Sequence, residues 1–125
     1  RGEVPIEDLV PGDRVYAWDQ RREKMVTAVV ERLIRRPSTM VSTLELCSGA
    51  RIVTTGNHPF FSSVETGFIH AGTLTPRDQV MVMRHRRLVS ERICAITVGG
   101  HRPVYTLSVS SPHTYFACGV LVHNY

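Results

Sequence analysis

No apolar run in this chain approaches the length needed to cross a bilayer, and no charged-then-apolar leader opens it. Neither a membrane-spanning helix nor a signal peptide is therefore expected within these residues. An apolar pattern of helical period nowhere persists for several turns, which excludes a helical bundle. Cysteine is scarce: Cys47, Cys94 and Cys118 cannot all pair with one another, and their spacings of 47 and 24 match no zinc signature. Cys47 and Cys94 sit in apolar strand patterns, where each is expected to act as a small buried hydrophobe. The candidate for a catalytic thiol is Cys118, which is close to the C-terminus in sequence. Aromatic residues make up only 7% of the chain, and none interleaves with the basic clusters Arg21-Arg22, Arg35-Arg36 and Arg84-His85-Arg86-Arg87. A net charge of +4 therefore argues for solvated turns and protected strand edges rather than a nucleic-acid surface. No nucleic acid, membrane, metal or cofactor is expected as a partner.

What remains is a β pattern of ordinary globular composition. A chain of 125 residues, 42% hydrophobic and 21% charged, is expected to form one domain over 1–125 with a core of its own. Strand signal covers Asp13–Trp18, Lys24–Ile34, Val41–Cys47 and Arg51–Thr54, with Pro37 and Ser38 expected to end the second of these. A single helical turn is expected near Pro5–Leu9, and a loop over Phe61–Gly67. An internal echo is also present. Leu9-x-Pro11-x-Asp13-x-Val15 recurs as Leu74-x-Pro76-x-Asp78-x-Val80, Thr43–Leu46 as Thr106–Val109, and His58-Pro59-Phe60 as His113-Thr114-Tyr115. Three echoes in the same order imply a duplicated β unit with a histidine in each copy.

The C-terminal stretch carries the chemistry. Val120-Leu121-Val122 is a short apolar strand, and His123-Asn124-Tyr125 follows it directly. An asparagine carboxamide can attack its own main-chain carbonyl, closing a succinimide ring and expelling the amine of the next residue. Held orientation and a nearby acid both lower that barrier. His123, beside the bond, is the candidate acid. A hairpin through Ala117-Cys118-Gly119 would bring His113 to the same end.

The run Tyr105–Val109, His113-Thr114-Tyr115 and Gly119–Asn124 resembles the C-terminal splicing blocks of inteins, and Thr55-Gly56-Asn57-His58 resembles their Thr-x-x-His block. The chain thus resembles the Hint (hedgehog/intein) superfamily from about Glu3 to Asn124. The resemblance implies an all-β, horseshoe-shaped fold with pseudo-twofold duplication and no endonuclease insert. It also implies cofactor-free, single-turnover autoproteolysis, with Asn124 as nucleophile, His123 as acid, His113 as assisting group, and Thr55 and His58 serving an upstream junction.

The chain departs from the family pattern in three places. Inteins open on cysteine or serine, whereas position 1 is Arg1, so the opening nucleophile strand is read as absent and N-terminal cleavage as requiring a Cys-bearing segment from elsewhere. Splicing also requires Cys, Ser or Thr after the terminal asparagine. The phenol of Tyr125 is too far from its own amine to pass on an acyl group. The third departure is Thr106, at a position where the family often carries aspartate. The resulting expectation is C-terminal self-cleavage acting on the domain's own flanking polypeptide, with a downstream effector or toxin released. The alternative is a degenerate Hint scaffold. The compartment stays open, since cytoplasmic synthesis and membership of a larger exported bacterial protein both fit.

Overall fold

A computed structural model describes residues 5–63 and 67–124; Arg1, Tyr125 and the Val64–Thr66 part of the expected loop lie outside them. Nine strands are found among the described residues: β1 (Arg14–Asp19), β2 (Lys24–Leu46), β3 (Arg51–Thr54), β4 (Pro59–Ser62), β5 (Gly67–His70), β6 (Gln79–Arg84), β7 (Arg87–Val109), β8 (Thr114–Ala117) and β9 (Val120–His123). Single 3-10 turns at Ile6–Asp8 and Ala71–Thr73 are the only helical pieces among them. No helix is long and apolar enough to cross a membrane. The sheet path runs β1-β2-β7-β6-β4-β9-β8, with β3 on β2 and β5 on β4.

The duplication extends to individual hydrogen bonds. In each copy a 3-10 turn leads into an aspartate-closed turn. The Asp13 carboxylate accepts from the Val10 N–H at 3.0 Å, and that of Asp78 from the Thr75 N–H at 2.7 Å. The carbonyls of the same two aspartates accept from Val30 N at 2.8 Å and Ile93 N at 3.0 Å, tying each turn to a long strand. A carboxylate that satisfies a turn N–H removes an orphan donor, which explains why aspartate recurs at this place in both copies. Each turn is followed by a short strand paired antiparallel with a strand of 23 residues, β1 with β2 and β6 with β7.

Pro37 does not end β2. The ladder to β7 steps from Arg36↔Val104 to Thr39↔Arg102, so β2 gains one residue there. A residue without an N–H is accommodated in such a bulge, and the strand continues beyond it. Phe61 and Ser62 belong to β4 and Gly67 to β5, so the expected loop is shorter than Phe61–Gly67.

The cysteine expectation also fails. Cys47 and Cys94 form a disulfide with Cα atoms 5.0 Å apart, and both are exposed. Leu46 and Ile93 pair across β2 and β7 and are both buried, so strand alternation turns their neighbours outward, face to face. The spacing of two cysteines in a sequence does not reveal that register.

The core lies between the two copies. Leu44, Phe60, Val80, Ile93, Leu107, Val109, Tyr115, Val120 and Val122 are essentially inaccessible to solvent. Each such side chain contributes roughly 1.5–3 kcal/mol of burial. Strand β9 lies inside the sheet, with Val120, Leu121 and Val122 buried, and is flanked by β4 and β6 as well as β8 through Phe60↔Val122 and Val82↔Val120. Its unbroken apolar run is what such a position requires.

The two ends of the sheet path also meet. Thr114 Oγ1, on β8, accepts from the Trp18 N–H at 2.9 Å and donates to the Trp18 carbonyl at 2.8 Å, on β1. Thr114 is 3% exposed, so this clasp is shielded from water.

Candidate active site

The terminal hairpin is built around a two-residue turn. Cys118 (φ 50°) and Gly119 (φ 81°) occupy the left-handed conformations that a primed turn demands. The resulting register sets Thr114 opposite His123 and so brings His113 beside Asn124. The Asn124 N–H donates to the His113 carbonyl at 2.8 Å. His113 itself is left-handed (φ 69°), a conformation that costs a β-carbon-bearing residue about 1–2 kcal/mol. The bonds to Ser110 and Asn124 hold it there.

The Asn124 carboxamide is gripped at both atoms by the backbone of one residue, Val109. Its Oδ1 accepts from the Val109 N–H at 3.1 Å and its Nδ2 donates to the Val109 carbonyl at 3.0 Å. His113 Nδ1 stands 3.0 Å from the same carbonyl and 3.4 Å from Asn124 Nδ2. A carbonyl only accepts, so contact with Val109 requires the Nδ1–H tautomer, whereas taking a proton from Nδ2 requires bare Nδ1. His123 Nδ1 lies 3.1 Å from the Asn124 carbonyl oxygen, so His123 donates to the carbonyl of the Asn124–Tyr125 bond. The two imidazoles are 6.3 Å apart, and Phe68 packs edge-on against His123 at 5.0 Å.

Thr55 and His58 form a second, drier cluster on the turn into β4. Thr55 Oγ1 donates to Asn57 Oδ1 at 3.0 Å. The turn is clamped to the second 3-10 piece by Ala71 N to the His58 carbonyl at 2.9 Å and Gly72 N to the Gly56 carbonyl at 2.7 Å. A β-carbon at Gly72 would stand 3.1 Å from the Gly56 oxygen, so this close approach calls for glycine. His58 is 4% exposed, with its ring edge-on to Phe60 at 5.9 Å and Tyr115 at 6.4 Å. Burial, with His123 and Arg36 nearby, lowers its pKa to about 4. At neutral pH it is an uncharged imidazole that can donate one hydrogen bond. His123 acts electrostatically on His58 and Phe60 pairs with Val122, so the two clusters flank one stretch of β9.

Two further positions bear on the chemistry. Cys118 is exposed in the hairpin turn, at the opposite end of β9 from Asn124. Four strand residues span about 13 Å; proximity in sequence is therefore misleading, and Cys118 is no part of this site. Thr106 is buried at 4%, and its hydroxyl has no hydrogen-bond partner among the described residues. Among those residues no three His, Cys, Asp or Glu side chains converge as a metal ion would require.

Two copies of one β unit, with a His-Asn terminus clasped between them, define the class: a Hint fold with an autoprocessing, intein-like role. The DnaB intein from Synechocystis sp. PCC 6803 superposes with a TM-score of 0.89 at 26% identity, over 98% of this chain and 86% of that one. The bacterial intein-like domain from Clostridium thermocellum gives a TM-score of 0.83 at 28% identity, over 95% and 86%. The gp41-1 intein shares the fold, with a TM-score of 0.76 at 21% identity over 95% and 85%. Within that class the chain belongs to the pretoxin Hint domain family, whose model matches residues 1–125. No curated protein matches it in sequence.

Proposed function

We propose that this domain cuts its own chain after Asn124 and so releases the polypeptide that follows. In the reaction Asn124 Nδ2 attacks the Asn124 carbonyl carbon and its proton passes to His113. The bond to the next residue breaks, and the departing amine takes up a proton supplied through His123. The products are a C-terminal succinimide and a free amino terminus. One observation carries this reading: Nδ2 lies 3.4 Å from His113 Nδ1 while the Asn124 carbonyl oxygen lies 3.1 Å from His123 Nδ1. Attacking group and accepting carbonyl each have an imidazole at hand, and that disposition lowers the barrier for ring closure. The bidentate grip of Val109 orients the carboxamide and must open before attack. Thr55 and His58 serve an upstream junction, where cleavage requires a Cys-bearing segment. The reaction turns over once per molecule, and by analogy with the name of the family the released segment is a toxin or other effector.

The test is a reporter fused after position 125, with products analysed by mass. Release with a succinimide or hydrolysed asparagine at position 124, lost in Asn124→Ala, is expected; equal release from Asn124→Ala sinks the reading. The partnerless hydroxyl of Thr106 favours a second reading, a scaffold that has lost its chemistry, and a precursor that never cleaves selects it.

A further inference from the structure

A cleft of about 700 Å³ opens directly on the proposed cleavage site, lined by Trp18, Arg21, Arg22, Phe68, His113 and His123 among others. Its outer wall is the β1–β2 turn, and the Asp19 carboxylate holds that turn in shape. Oδ1 accepts from the N–H groups of Arg21 and Arg22, both at 3.1 Å, and Oδ2 stands 3.9 Å from Arg22 Nε. The carboxylate is thus committed to the turn, while both guanidinium side chains remain exposed, that of Arg22 at 74%. The inner wall carries the imidazole that touches the Asn124 carbonyl, the atom from which the chain continues.

Resting on the cleavage reading above, we infer that this cleft holds the first residues downstream of Asn124 and selects acidic ones. The fit is chemical at both walls. Trp18 and Phe68 give the cleft an aromatic lining that suits an aromatic side chain, and the residue after Asn124 is Tyr125. Arg21 and Arg22 line the same cleft as His123, whose ring meets the Asn124 carbonyl, so a segment that leaves Asn124 along the cleft passes both arginines. Two exposed guanidiniums favour carboxylates and disfavour ammonium groups there. Arg21 and Arg22 are thereby specificity-determining residues and take no part in the bond chemistry.

The experiment uses reporter precursors in which the two residues after Tyr125 are Asp-Asp, Ser-Ser or Lys-Lys. Two exposed ion pairs give a rate ratio of roughly fivefold for Asp-Asp over Lys-Lys, shrinking at high salt. In the Arg21→Glu/Arg22→Glu variant the order inverts; because the ratio is taken within one variant, any general loss of folding cancels. The same ratio in both proteins overturns the inference. So does a larger charge effect when the same pairs are placed before Arg1, which would assign the cleft to the incoming segment. A second readout survives failure of the cleavage chemistry. Trp18 is the sole tryptophan and lines the cleft, so its emission reports occupancy in the uncleavable Asn124→Ala precursor. Emission that differs between Asp-Asp and Lys-Lys tails and converges with salt supports the assignment; identical emission refutes it. Absence of release from every tail, with Trp18 still sensing charge, removes the cleavage reading and keeps the cleft as a binding site.

Discussion

Mild acid should destabilise this domain through one buried imidazole. His58 titrates near 4 when folded, below the 6.5 of a free histidine, chiefly because burial disfavours its charged form. Between those values the unfolded chain binds more protons than the folded one, so stability is present above pH 6.5 and drains away as pH falls towards 4. The full shift corresponds to about 3 kcal/mol, of which about 2 kcal/mol is lost between roughly pH 7 and pH 5. Glu91, whose carboxyl lies below the ordinary range through Ser48 and Arg84 despite the opposing effect of desolvation, loses its contribution only in more acidic solution. Urea unfolding, followed by Trp18 emission across this pH range, measures the loss. In His58→Gln, which keeps a neutral polar side chain, the slope should flatten by about that 2 kcal/mol. Equal acid sensitivity in the two proteins would refute the burial of a neutral imidazole here.

Three other perturbations have defined outcomes. Reducing Cys47–Cys94, which closes a separation of 47 residues, should cost about 4 kcal/mol by loop entropy; a change under about 1 kcal/mol in urea unfolding with and without reductant contradicts that model. Thr106→Val removes a buried hydroxyl without a partner and should raise stability by about 1 kcal/mol, while a loss in thermal unfolding would reveal a hydrogen bond to solvent. Cys118→Asn should strengthen the terminal turn by about 0.5 kcal/mol, since asparagine accepts a positive φ more readily, and should leave reporter release intact; abolished release would return the thiol to the chemistry.

Much of the fold was legible because its signals are local. Leu-x-Pro-x-Asp marks both copies, since the aspartate closes a four-residue turn. The unbroken apolar run before His123 marks an interior strand, and Ala117-Cys118-Gly119 marks the hairpin that brings His113 beside Asn124. What escaped depends on long-range register. Cys47 meets Cys94 only once β2 and β7 are aligned, and Pro37 continues a strand only because the ladder slips there. The grip of Val109 on Asn124 was equally hidden, as nothing in a valine announces that its backbone N–H and carbonyl will hold a carboxamide. Cys118 misled for the opposite reason, because nearness in sequence along a strand becomes distance in space.

Thr114 fastens the first strand to the last hairpin, and the order of synthesis gives that clasp a meaning in time. Trp18 leaves the ribosome long before its partner hydroxyl, so the clasp closes only when nearly all the domain has emerged. His113 and His123 sit immediately beside Thr114, in sequence and across the hairpin respectively, and come to rest in the same event. On the cleavage reading proposed above, the two imidazoles are thus brought into place only after the strands that hold them have been made.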